Sequence, residues 1–154
     1  MKFQGTILTP PPNQFIVIPR ETGDLTFELK MVSDFVPFET IYPLPEPIMK
    51  TVPGKAPVPM LDHPDYRKAV AARSAARYNW MLLQSLSATK DLEFETVKMD
   101  DPSTYNNLHT EMQAAGFSGA EINAIFDKIF DVNGLNQEKI EKATQLFLAG
   151  RQVR

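Results

Sequence analysis

The chain changes its hydrophobic rhythm twice. Between Leu25 and Met31 apolar and polar residues alternate: Leu25, Phe27, Leu29 and Met31 fall on one side, Thr26, Glu28 and Lys30 on the other. A period of two marks a strand with one buried face. Upstream, Phe15-Ile-Val-Ile-Pro19 has strand composition, and Arg20-Glu-Thr-Gly-Asp24 supplies turn chemistry between the two. The pattern predicts a β-hairpin, with Gly5 to Thr9 as a candidate third strand. Two strands alone are marginal in water, so this unit, residues 1–36, needs a partner surface.

From residue 62 the period becomes helical. Asp62-His63-Pro64 reads as a helix start, with Asp62 or His63 near the N-cap and Pro64 in the first turn. The helix is expected to run to about Thr89. Ala69, Ala72, Ala76 and Leu83 line one face, and Ala71, Ala75, Tyr78, Leu82 and Leu86 the adjacent one. Together they make an apolar sector about 200° wide, where an ordinary surface helix needs little over 100°. Arg73 and Arg77 occupy the remaining stripe. Leu92–Met99 reads as a short strand or extended connector. Asp101-Pro102 opens a second helix with Tyr105, Leu108, Met112 and Ala115 on one side and Gly116 as its stop. Ser118-Gly-Ala-Glu121 is a capping-box pattern for a third, whose apolar face is Ile122, Ile125, Phe126, Ile129 and Phe130. Asn133-Gly134 ends it. Asn136 caps a fourth, with Ile140, Ala143, Leu146 and Phe147 as its inner face and Gly150 as its end, before a basic tail from Arg151 to Arg154. Helices joined by such short turns are expected to pack as a bundle against the long one.

Between these regions the rhythm is broken by proline. Twelve of the 13 prolines lie in residues 1–64, seven of them between Pro37 and Met60. Each removes a backbone donor, fixes φ and pushes its predecessor to extended conformations. Residues 37–61 are therefore expected to form an extended, partly polyproline-like arm rather than a helix or a central strand. It is no solvated linker, since Phe38, Ile41, Tyr42, Leu44, Ile48 and Met49 would be costly to leave in water together. The arm lies across its own domain or across a neighbouring subunit, and patterning favours neither. The expected architecture is α+β: a small N-terminal antiparallel β-unit (1–36), an extended proline-rich arm (37–61) and a mainly α-helical region (62–154).

Composition narrows function by exclusion. The 154 residues carry a net charge of −3 and no cysteine, which removes disulfides, thiolate nucleophiles and thiolate metal sites. MKFQGTILTPPPNQF holds no apolar stretch long enough for a secretory signal, and no apolar run approaches a membrane span, so a soluble intracellular protein is expected. Residues 62–90 are net +3 and residues 91–154 net −5. That pairing suits internal or inter-copy contact better than nucleic acid, which the overall charge disfavours.

Candidate chemistry is sparse. The only histidines, His63 and His109, have no nucleophile elbow to serve, and read as surface residues. One member of the Asp100-Asp101 pair is better explained as a helix cap before Pro102, and Glu93 and Glu95, two apart on one strand face, suit a solvated edge as well as a catalytic pair. Asp131, Asn133 and Gly134 hint at a calcium loop, but the first and last ligand positions would be Ile129 and Ile140. No glycine-rich phosphate loop exists. The expectation is a non-enzymatic protein without metal or cofactor, working by contact. The contact candidates are Tyr42, Leu44, Ile48 and Met49 in the arm and Trp80, Met81 and Leu83 in the long helix; ordinary core packing is the alternative for each, and for Trp80, a large aromatic, it is the better one. Methionines at 31, 49, 60, 81, 99 and 112 add adaptable contact surface.

The order of elements resembles a known family. The proline arm Pro43-Leu-Pro-Glu-Pro47, the turn Asp101-Pro-Ser-Thr104 and a closing helical segment from Asn133 through Leu148 are similar to features of the small tail assembly chaperones of long-tailed bacteriophages. The resemblance spans most of the chain and rests on structural motifs. It implies a chaperone that binds the long, helical tape measure protein before the tail tube polymerises around it, in the host cytoplasm. A homo-oligomer is expected, and the charge and patterning above leave neither membrane nor nucleic acid as partner. Many members of the family are also made in a longer, frameshifted form. The alternative is a permanent structural subunit of a virion or other multi-copy assembly, with the arm clasping a neighbour.

Overall fold

The computed structural model describes residues 1–152; Val153 and Arg154, the end of the expected basic tail, lie outside them. The architecture is α+β: short antiparallel strand pairs, then helices concentrated in the C-terminal part. The chain divides into two compact units, each assembled from separated segments. One comprises Met1–Met31, Ser85–Leu92 and the described residues from Phe117 on; the other comprises Val32–Gln84 and Glu93–Gly116.

In the first unit, β1 (Lys2–Phe3) and β2 (Thr6–Ile7) pair through Gln4 and Gly5, both at positive φ (48° and 81°). A two-residue turn of this hand matches strand twist, and Gly5 takes its conformation at no steric cost. The candidate third strand is thus a separate tiny ladder, not an addition to the main hairpin. That hairpin is β3 (Gln14–Ile18) and β4 (Leu25–Leu29), in the register Ile16↔Phe27. Ile18, Phe27 and Leu29 are buried as the alternation requires, but Leu25, at the turn end, is exposed.

α4 (Gly119–Val132) packs on β3 and closes this core with Ile122, Ile125, Ile129 and Val132. Its N-terminus carries the expected capping box: Ser118 Oγ accepts from the Glu121 N–H and the Glu121 carboxylate accepts from the Ser118 N–H. At its C-terminus Gly134 (φ 70°) donates to the Asp131 carbonyl and Leu135 to that of Phe130, a Schellman ending. Arg20 pairs with Glu121 and lies over the Phe117 ring, whose centroid is 5.8 Å from that of Phe27.

The second unit holds α1 (Val36–Ile41), the strand pair β5 (Met49–Lys50) and β6 (Val58–Pro59), most of α2 (Pro64–Leu86), a 3-10 turn (Pro102–Thr104) and α3 (Asn107–Ala114). The proline segment is therefore not a uniform extended arm. Pro37 sits in the first turn of α1, the one helical position where its missing donor costs nothing. Residues 48–60 double back, with Met60 N–H donating to the Ile48 carbonyl at 2.7 Å.

His63 caps α2: its Nδ1 accepts from the Asp65 N–H and its carbonyl from that of Arg67. α2 stops at Leu86 rather than Thr89, and its last two residues belong to the first unit. Its buried face also differs from expectation. Ala71, Ala72 and Ala75 are exposed, whereas Arg73 is 9% exposed. Two aromatic rings and a free carbonyl from residues 35–42 make the arginine side the better-matched face, and small alanines lose little by staying in water.

Candidate contact surfaces

Of the arm residues, Tyr42 is half-buried: its ring stacks on Phe38 at 5.8 Å and its carbonyl accepts from Arg73 Nε at 2.8 Å. Arg73 lies over the Phe38 ring and Arg77 over Phe35 at 3.9 Å, and both rings flank Trp80 at 5.8 and 5.5 Å. This arginine–aromatic cluster fastens the start of the proline segment to α2. Trp80, Met81 and Leu83 are 3%, 5% and 1% exposed, so they are core residues with no surface for a partner, which corrects their candidacy as contacts. Leu44, Ile48 and Met49 are exposed, together with Val58 and Leu61. The sequence signal for the cluster was the matched spacing of Phe35 and Phe38 with Arg73 and Arg77, one helical turn each.

A second apolar surface was expected inside the molecule. α5 (Gln137–Gln152) starts as the sequence indicates, with Asn136 Oδ1 accepting from the Lys139 N–H, but every residue from Gln137 to Arg151 is exposed. Ile140, Leu146, Phe147 and Leu148 stand half to two-thirds open to solvent, and no bundle among the described residues covers them. Gly150 is an ordinary helical residue and does not end the helix. Arg151 lies over the Phe147 ring at 5.7 Å. The helix is joined to α4 through Lys139 Nζ, 2.6 Å from Asp131 Oδ1.

The polar candidates do not converge. Among the described residues no three His, Asp or Glu side chains gather as metal ligands. His63 caps a helix, and His109 is exposed on α3. Asp101 caps the 3-10 turn by accepting from the Ser103 N–H and hydroxyl. Glu93 and Glu95 are exposed on an irregular connector, so of the two forms expected for Leu92–Met99 the chain takes the connector and not the strand. Glu111 instead holds that connector. Burial alone would raise its pKa, but hydrogen bonds from the Thr96 hydroxyl and the Glu95, Thr96 and Val97 N–H groups hold it below the ordinary value. Tyr105 donates to the Met99 carbonyl, and burial, then Asp100 and Asp101, push its phenol up to about 12, so it keeps its proton at neutral pH.

No described helix is long and apolar enough to cross a membrane. No family model, curated protein or solved structure matches this chain.

Proposed function

We propose that this protein is a non-enzymatic assembly chaperone of the kind that long-tailed phages use, holding a long helical client, the tape measure protein, through apolar surface before the tail tube polymerises. The observation that carries this reading is the α5 face formed by Ile140, Leu146 and Phe147, which are 49–69% exposed. Large apolar side chains clustered on one uncovered helix mark a protein contact, because leaving them in water forgoes most of their burial energy. A helix that presents such a face takes another helix most readily. Leu44 and Met49 offer a second, smaller surface. The chaperone works in the host cytoplasm during assembly.

A permanent structural subunit is the second reading. It is favoured by residues 44–61, which fold back on themselves and leave Leu44, Met49, Val58 and Leu61 free for a neighbour. Mass spectrometry of infected-cell lysate and of purified particles separates the two. A chaperone is found in lysate with its client and is missing from particles; a subunit is found in particles at fixed stoichiometry.

A further inference from the structure

The two edges of the β3–β4 hairpin are treated differently. Along β4, the Thr89 hydroxyl accepts from the Glu28 N–H and donates to the Glu28 carbonyl, both at 3.0 Å. One step on, the Lys30 N–H donates to the Ser85 carbonyl and Ser85 Oγ donates to the Lys30 carbonyl at 2.7 Å. The β4 edge is closed there by the end of α2 and the turn after it. These bonds also fix the polarity of the ladder. Glu28 points its N–H and C=O away from β3, so its partner Phe15 points its own away from β4, and so does Val17 two residues on. No strand lies along that side of β3, and the Phe15 and Val17 backbone groups meet no partner among the described residues. Their side chains, 57% and 51% exposed, stand on the open face of the sheet.

Open edges are ordinarily blunted by charge, by a bulge or by an internal proline. The strand Gln14-Phe-Ile-Val-Ile18 has none of these. Prolines stand instead just outside it. On the register whose backbone groups face outward, Pro11 and Pro19 lack donors, which leaves a short central stretch able to pair and halts propagation on both sides.

We propose that β3 pairs antiparallel with β3 of a second copy of this chain across a two-fold axis at Ile16, joining two hairpins into one continuous sheet. In this register Phe15 faces the partner copy's Val17 and Val17 its Phe15, each pair exchanging two backbone hydrogen bonds. Both are aromatic–β-branched pairs, which are favourable across strands. Ile16 meets its own copy on the inner face. An isologous contact requires each residue to tolerate its counterpart, and the absence of charge on β3 meets that requirement. A second copy is also the partner whose ladder is ended by the same two prolines. The inference does not depend on the chaperone reading.

The test is sedimentation equilibrium of the full chain at about 100 µM, a concentration suited to an interface at the small end of the size range, with hydrogen exchange on the same samples. Wild type is expected at twice the chain mass, and the Phe15 and Val17 amides are expected to exchange about tenfold or more slower than in dilute solution. Val17→Pro removes the outward donor and leaves the β3–β4 bonds in place; Val17→Lys puts a charge on each side of the axis. Both are expected at single-chain mass with an unchanged circular dichroism spectrum, and Val17→Lys carries the test if the proline variant does not fold. A wild type that stays at single-chain mass overturns the proposal. So does a dimer that survives in a folded variant, which would place the contact elsewhere.

Discussion

Arg73 Nε donates to the Tyr42 carbonyl at 2.8 Å while its guanidinium lies over the Phe38 ring. One side chain thereby satisfies a backbone acceptor in the proline segment and covers a fully buried aromatic. Arg73→Ala leaves the carbonyl unpaired and Phe38 uncovered. It is expected to cost about 2 kcal/mol, the usual loss for a hydrogen bond to a charged group with some packing. Urea denaturation checks this, with a lower midpoint at unchanged slope. Arg73→Lys keeps the charge without the planar fork and is expected to recover only part of the loss.

Thr89→Val is nearly isosteric and removes the hydroxyl that serves both backbone groups of Glu28. The strand edge is left unsatisfied, at an expected cost of about 1–3 kcal/mol. The Glu28 amide should exchange faster in the variant, while the amides that bond β3 to β4 keep their protection.

Among the described residues three carboxyls have folded-state pKa values below their ordinary ones. Glu121 is held down first by the hydrogen bond from Arg20, and Asp131 first by that from Lys139. For Glu111, burial pushes upward and is outweighed by the bonds from residues 95–97. In each case the unfolded chain binds more protons as the solution acidifies. The stabilisation is therefore complete above the ordinary values of 4.5 for the glutamates and 3.8 for Asp131, and is lost as pH falls through the lowered folded-state values. Urea midpoints measured between neutral and acid pH should fall below that range. Glu111→Gln should lower the midpoint at neutral pH and flatten the acid limb.

Local signals in the sequence were legible wherever a residue answers to its own neighbours. The Leu25–Met31 alternation gave β4, Ser118 and Glu121 gave the cap of α4, and Asn136 gave the start of α5. What could not be read was which apolar face finds cover. Ala71, Ala72 and Ala75 look as buriable as any small residues, but Phe35 and Phe38 select Arg73 and Arg77 from 30 or more residues away in the chain. The Ile140–Phe147 stripe shows only that α5 wants a partner. α4 already places its isoleucines in the hairpin core, and α5 is left in solvent. Prolines at 37–59 exclude central strands and helix interiors, not a first helical turn or a short fold-back, which is where the structure puts them.

Leu146→Gln with Phe147→Gln tests the role of α5 in the fold. Both side chains are more than 60% exposed, so the double variant should keep wild-type stability within about 0.5 kcal/mol. A large loss in the thermal midpoint would mean that α5 packs on its own chain in solution.

The central claim is that α5 holds a helical client. The most direct measurement is co-purification of tape measure protein, co-expressed with tagged wild-type chain or with the Leu146→Gln, Phe147→Gln variant. The expected result is a stable complex with wild type and its loss, by tenfold or more in recovered client, with a variant that is folded. Equal recovery with both chains, or no complex with wild type, would contradict the claim.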